Sequence, residues 1–168
     1  MAIKRLGEVS GTKKRVCKKR VCKKRVCKPF KKSAFRAVSG TDQTLLDDET
    51  AKVRYQVQEL DLNNEYNPAT STFRPKHDGV YSLFASVFFE IITRPEVIIG
   101  LEIRVNGAPK ISDQEIRALF GPQRGIIDAS GIVQLEARDR VEVFATFIGE
   151  NAEIQSGVAT RFEGARIT

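Results

Sequence analysis

Apolar side chains in residues 80–91 fall on every second position. Tyr81, Leu83, Ala85, Val87, Phe89 and Ile91 share one face, because successive side chains of an extended strand point to opposite sides. The period returns in Val97, Ile99, Leu101, Ile103 and Val105, and in Val53, Tyr55 and Val57. It returns again in Val133, Leu135 and Ala137, and in Val141, Val143, Ala145 and Phe147. So many alternating segments predict an all-β domain. Turn residues separate them. Asn106-Gly107 fits a two-residue hairpin whose central positions need positive φ. Asp78-Gly79 precedes a strand, and Gly121-Pro122, Gly131 and Gly149 punctuate the rest. Only residues 112–120 leave room for a helical turn or two. The expected architecture is a β-sandwich closed over one core.

The opposite faces of two strands are less polar than solvent requires. Phe84 and Phe88 alternate with the core face of residues 80–91, and Phe144 and Ile148 do so in residues 141–148. If the two strands are neighbours, Phe84, Phe88, Phe144 and Ile148 make one outward apolar patch larger than a monomer usually displays. Burial between identical subunits resolves this, and coverage by other parts of the same chain is the alternative.

Charge divides the chain in two. Residues 1–32 carry 14 bases and one acid, a balance of +13, whereas residues 33–168 carry 14 bases and 20 acids, a balance of −6, which together give the net +7. The boundary predicts a basic tail, 1–32, ahead of a mildly acidic domain, 33–168. Lys-Lys-Arg-Val-Cys is written three times in the tail, ending at Cys17, Cys22 and Cys27. Five residues match neither the helical nor the strand period, and the charge repels itself, so the tail is expected to be disordered in isolation. Neighbouring cations stabilise thiolate, which favours oxidation and exchange. Cys17, Cys22 and Cys27 are therefore candidate cross-linking residues toward other thiol-bearing structural proteins. Lys13, Lys14, Arg15, Lys18, Lys19, Arg20, Lys23, Lys24 and Arg25 are candidate contacts for a nucleic acid or other polyanion. Phe30 is the only aromatic residue of the tail, so stacking platforms for single strands are missing. The Cys-x₄-Cys-x₄-Cys spacing lacks the usual gaps and the fourth ligand of a zinc site.

Other classes fall away. No stretch reaches the ~18–20 apolar residues of a membrane helix, and the glycines lack the period of three that collagen needs. No apolar segment of signal-peptide length follows Met-Ala-Ile-Lys-Arg, which predicts synthesis in the cytoplasm without the usual export route. No nucleophile, phosphate-loop or dinucleotide motif occurs, and the single histidine, His77, is expected in a surface loop. The sequence thus points away from an enzyme, with no catalytic residue, cofactor or metal site assigned. Asp47, Asp48 and Glu49 read as a solvated loop.

Six segments in order resemble the globular C1q domain. They are Ala34-Phe35-Arg36-Ala37, Tyr66 to Phe73 with Pro75, Gly79-Val80-Tyr81-Ser82-Leu83, Val105-Asn106-Gly107, Leu135 to Val143, and Arg161-Phe162-Glu163-Gly164. The resemblance covers about residues 34–167. Ser71, Leu83, Arg138 and Arg161 depart from it, standing where the pattern has Gly, Phe, Gly and Ser. The resemblance implies a ten-stranded jelly-roll β-sandwich of the C1q/tumour-necrosis-factor type that assembles as a homotrimer. It implies that Phe84, Phe88, Phe144 and Ile148 lie in the inner sheet near a threefold axis. Some relatives bind calcium in loops, for which Asp42, Asp47, Asp48, Asp61 and Glu65 could supply oxygens. Bacterial relatives include spore-surface proteins, so a trimeric structural or binding head, cross-linked through its tail into a spore coat or exosporium, is the expected function. A polyanion-binding protein acting through the tail is the alternative.

Overall fold

The computed structural model describes residues 31–91, 96–118 and 123–168. They form β1 (Ala34–Ser39), β2 (Gln43–Leu45), β3 (Glu49–Lys52), β4 (Val57–Asp61), β5 (Tyr66–Asn67), β6 (Thr72–Phe73), β7 (Gly79–Ile91), β8 (Glu96–Val105), β9 (Ala108–Ala118), β10 (Gln123–Leu135), β11 (Val141–Ile148), β12 (Ala152–Ile154) and β13 (Gly157–Arg166). Five of these thirteen, β2, β3, β5, β6 and β12, are two to four residues long and punctuate the connections between longer strands. The described residues are all-β, and no helix among them is long and apolar enough to cross a membrane.

Two antiparallel sheets enclose the core. In sheet A, β10 lies along one edge of β7, while β13 and then β12 share the other. β1 and β4 continue the sheet from β13, and β2 continues it from β12. Where the neighbour of β7 changes from β13 to β12, the Thr160 hydroxyl replaces the ladder. It accepts the Phe88 N–H at 3.0 Å and donates to the Gln155 carbonyl at 2.6 Å. Sheet B runs β5-β6-β11-β8-β9, with β3 also on β11.

The alternation is realised in the packing. Tyr81, Leu83, Ala85, Val87, Phe89 and Ile91 are all buried, as are the alternating residues of β8 and β11. Four aromatic residues from three of the motifs meet at one end of the core. Phe35 stacks on Phe73 at 4.2 Å and on Tyr66 at 5.3 Å, and meets Phe162 edge-on at 4.8 Å. Gly164 lies under this cluster. A Cβ there would stand 2.7 Å from Leu83 and 2.9 Å from Phe35, so the closing motif needs glycine for close approach of the two strands. Burial pushes the Tyr55 and Tyr66 hydroxyls well above the ordinary tyrosine range, and the Tyr66 hydroxyl donates to the Tyr55 carbonyl at 2.7 Å.

Four sequence expectations are corrected. Residues 112–118 are not helical but belong to β9, an edge strand held by its ladder to β8 and burying little. Gly131 does not end a segment but lies inside β10 opposite Leu83, where a Cβ would crowd Ile111. Val53 and Tyr55 are buried as expected, but Val57 begins β4 and is exposed. Ala137 likewise falls in an exposed turn beyond β10.

Candidate functional site

The structure separates the four outward apolar residues into two pairs. Phe84 and Phe88 stand on β7 in sheet A; Phe144 and Ile148 stand on β11 in sheet B. β7 and β11 are not neighbours, since the edges of β7 are filled by β10, β13 and β12 and those of β11 by β8, β3 and β6. One patch built from all four residues therefore does not exist, nor do the four share an inner sheet. Side-chain alternation assigns faces within a strand, but it carries no information about which strands pair.

Phe144 is half-buried, with one face of its ring against its own chain. The Arg104 guanidinium lies over its ring at 4.3 Å and is held there by Glu102 at 2.7 Å. Ile148 heads a cross-strand row with Ile98 and Ile116 on the outer face of sheet B, where Ile116 is 68% exposed.

Sheet A carries the more shaped surface. Across its outer face Phe88 lies opposite Ile126, Phe84 opposite Ser130, and Ser82 opposite Ile132. Ile126 and Ile132, both absent from the sequence-derived interface, are 48% and 70% exposed. Their signal was available in Ile126-Ile127 and Ile132-Val133, since two adjacent apolar residues in a strand put one on each face. The row that contains Ile132 continues through Ser82, Ala165 and Ala34, all small. Over these small residues opens a hollow of about 340 Å³, walled by Phe84, Leu60, Arg36 and Glu163. Charged groups frame it: Arg36 pairs with Glu59 at 2.9 Å and with Glu163 at 3.5 Å, and the Arg161 guanidinium lies over the Phe84 ring at 4.6 Å. A projecting isoleucine thus stands beside an apolar hollow on one face.

No family model matches the chain, and no curated protein matches it. Among solved structures, the chain is similar to the globular domain of zebrafish complement 1qA protein. That match has 16% identity and a TM-score of 0.53, over 82% of this chain and 98% of that one. Eiger TNF from S. frugiperda is similar at 10% identity and a TM-score of 0.56, over 84% and 94% of the two chains. Murine APRIL at pH 8.0 is similar at 16% identity and a TM-score of 0.57, over 82% and 100%. The domain has the C1q/TNF-like jelly-roll fold.

Two departures from the C1q pattern fall where the backbone of this chain turns left-handed. Ser71 has φ 46° and Arg138 has φ 76°. Ser71 recovers part of the steric cost, because its hydroxyl accepts the Tyr55 N–H at 2.8 Å. The hairpin at Asn106-Gly107 has φ of 53° and 87°, as its sequence predicts.

The five candidate calcium ligands do not converge. Asp61 accepts the backbone N–H groups of Asn63, Glu65 and Tyr66, and Glu65 accepts the Ser33 hydroxyl and the Lys76 N–H. Asp42 accepts the Ser156 N–H, a bond that holds its carboxyl below the ordinary range, and Asp47 accepts the Gly149 N–H. Asp48 lies in the turn before β3. Among the described residues no three metal-type ligands come together. His77 precedes β7, and its carbonyl accepts the Tyr81 hydroxyl at 2.8 Å. Cys17, Cys22 and Cys27, with Lys13 to Arg25, lie outside the described residues, as does the expectation of a disordered tail.

Proposed function

We propose that the domain is a non-enzymatic binding and structural head that self-associates as a homotrimer through the outer face of sheet A. The observation that carries this is the pairing of Ile132, 70% exposed, with the hollow beside it. A projection and a recess at different places on one surface suit a head-to-tail contact, which closes into a ring when the rotation permits. The C1q-like motif order points to a ring of three, and Phe84, Phe88 and Ile126 extend the contact area. Solved structures with this fold include a complement domain and two TNF-type proteins, which supports a recognition role over catalysis.

The tail gives the head its anchorage. With three cysteines per chain, a trimer gathers nine thiols at high effective concentration. Cross-linking to thiol-bearing proteins in a layer such as a bacterial spore surface is the role this chemistry supports. The density of cations in residues 13–25 favours a second reading, polyanion binding by the tail.

Native mass spectrometry of the full chain tests both. The expected result is a trimer in reductant and covalent higher species without it, with no dependence on salt. Monomers in reductant at micromolar concentration overturn the trimeric head. Retention on a polyanion that falls steeply with salt, with no thiol-linked species, selects the second reading.

A further inference from the structure

The end of the sandwich at which β1 begins also gathers cations. Arg74 and Lys76 follow β6, and Arg138 and Arg140 lie in the turn between β10 and β11. Arg74, Arg138 and Arg140, with Asn106 of the hairpin, line a hollow of about 320 Å³. Arg74 and Arg138 also border a second hollow of about 490 Å³ that reaches Lys76. Three nearby carboxylates already have partners, and of these only Glu142 pairs with a cation of this cluster. Asp139 holds the Asn106 amide and the Glu136 N–H, and Glu65 holds Ser33 and the Lys76 N–H. Glu142 pairs with Lys52 at 2.7 Å and Arg140 at 2.9 Å. Among the described residues, the Arg74 and Arg138 guanidinium groups have no carboxylate within ion-pair distance and no hydrogen-bond partner.

The backbone of Arg138 adds an independent observation. Among the described residues, five non-glycine residues have positive φ, and three of them are Asn or Asp, which tolerate it. Ser71 is a fourth, and its hydroxyl accepts a hydrogen bond there. Of these five, Arg138 alone combines an ill-suited residue type with a side chain that has no partner among the described residues. Its N–H is fixed to the Pro75 carbonyl at 2.7 Å, so the turn is rigid and the strain is kept. Strain that no internal contact explains is expected where a side chain serves a ligand.

We infer that Arg74, Arg138 and Arg140, with Lys76 at the edge, form a binding site for a tetrahedral oxyanion, the group shared by sulfate and phosphate esters. Guanidinium forks match such oxygens two at a time. The basic segment joins the domain beside this site. The Lys31 carbonyl accepts from Arg166, and the Lys32 carbonyl accepts from Asn63, whose own carbonyl accepts from Lys76. A long sulfated or phosphorylated chain seated on the arginines therefore extends toward the tail.

The test uses the full chain in reductant and compares Arg138→Gly with Arg124→Gln, a charge-matched control at the opposite end of the sandwich. The probes are dextran sulfate, uncharged dextran, sodium sulfate and inorganic phosphate. Arg138→Gly is expected to raise the melting temperature, because glycine relieves the positive φ. It is also expected to weaken dextran sulfate about five- to tenfold more than Arg124→Gln and to lower the salt slope by about one. Arg74→Gln should add a similar loss. Backbone resonance shifts near Arg74 and Arg138 with sulfate or phosphate, without the polymer effect, assign the site to free ions. Equal affinity of Arg138→Gly and Arg124→Gln for dextran sulfate, with no shift from either ion, overturns the site. A lower melting temperature for Arg138→Gly overturns the strain argument and makes Arg138 structural. The trimer mass is independent of all these outcomes.

Discussion

Ile132→Asp is the sharpest perturbation of the sheet A surface. Full burial of an isoleucine side chain contributes about 1.5–3 kcal/mol. At 70% exposure, Ile132 retains most of that for association, about 1–2 kcal/mol per copy. Three copies make about 3–6 kcal/mol, or about 10²- to 10⁴-fold in the association constant. Aspartate removes this gain and adds the cost of placing a carboxylate against an apolar hollow, several kcal/mol if unpaired. The fold itself should tolerate the change, because Ile132 points outward opposite Ser82 and leaves the core intact. Sedimentation equilibrium of the full chain in reductant is the assay. Wild type should run as a trimer, Ile132→Asp as a monomer with an unchanged melting temperature of the domain, and Ile132→Val between them. If Ile132→Asp remains trimeric at the same concentration as wild type, this surface is not the interface and the fit of projection to hollow is coincidental.

Glu142 links stability to pH. Burial raises its pKa, but the hydrogen bond and charge of Lys52, the charge of Arg140 and the Thr72 hydroxyl outweigh it and hold the carboxyl below the ordinary range. Its stabilisation is therefore complete above the unfolded carboxylate pKa and is lost as pH falls through the lower folded value. Melting curves between pH 7 and pH 3 should show a smaller acid loss for Glu142→Gln than for wild type, and equal slopes refute the linkage. Lys52→Met should cost about 1–3 kcal/mol at neutral pH, because Lys52 also ties Thr70 and Thr72 to β11. A penalty that does not shrink in acid argues against the pair. Gly164→Ala drives a Cβ into Leu83, Phe35 and the Ser82 carbonyl and should cost about 1–3 kcal/mol, a drop of several degrees in Tm. An unchanged Tm means that the strands separate freely there.

What the sequence disclosed depended on burial. β7, β8 and β11 have one face in the core, so their period of two was legible and their inward residues were assigned correctly. β9 buries almost nothing along its length, and without alternation its Gln, Glu, Arg and Ala residues read as helix formers. The hairpin at Asn106 was legible because its turn demands particular residues. The pairing of β7 with β10 rather than β11 was not, since strand neighbours are fixed by long-range contacts that no local pattern records. Hence alternation points to Phe84 and Phe88 without their cross-strand partners Ser130 and Ile126, and it cannot show that Phe144 stands on the other sheet. The arginine hollow is assembled from three connections and has no contiguous motif, but the replacement of Gly by Arg138 was a visible anomaly.

β1 enters at Ser33 and is flanked on both sides, by β13 and by β4. Interstrand bonds of an antiparallel ladder lie across the strand direction. Tension on the chain ahead of Ser33, drawn along the strand, loads both ladders in shear, so their bonds share the force and do not peel apart one at a time. A load applied ahead of Ser33 therefore meets two ladders at once and not a single edge.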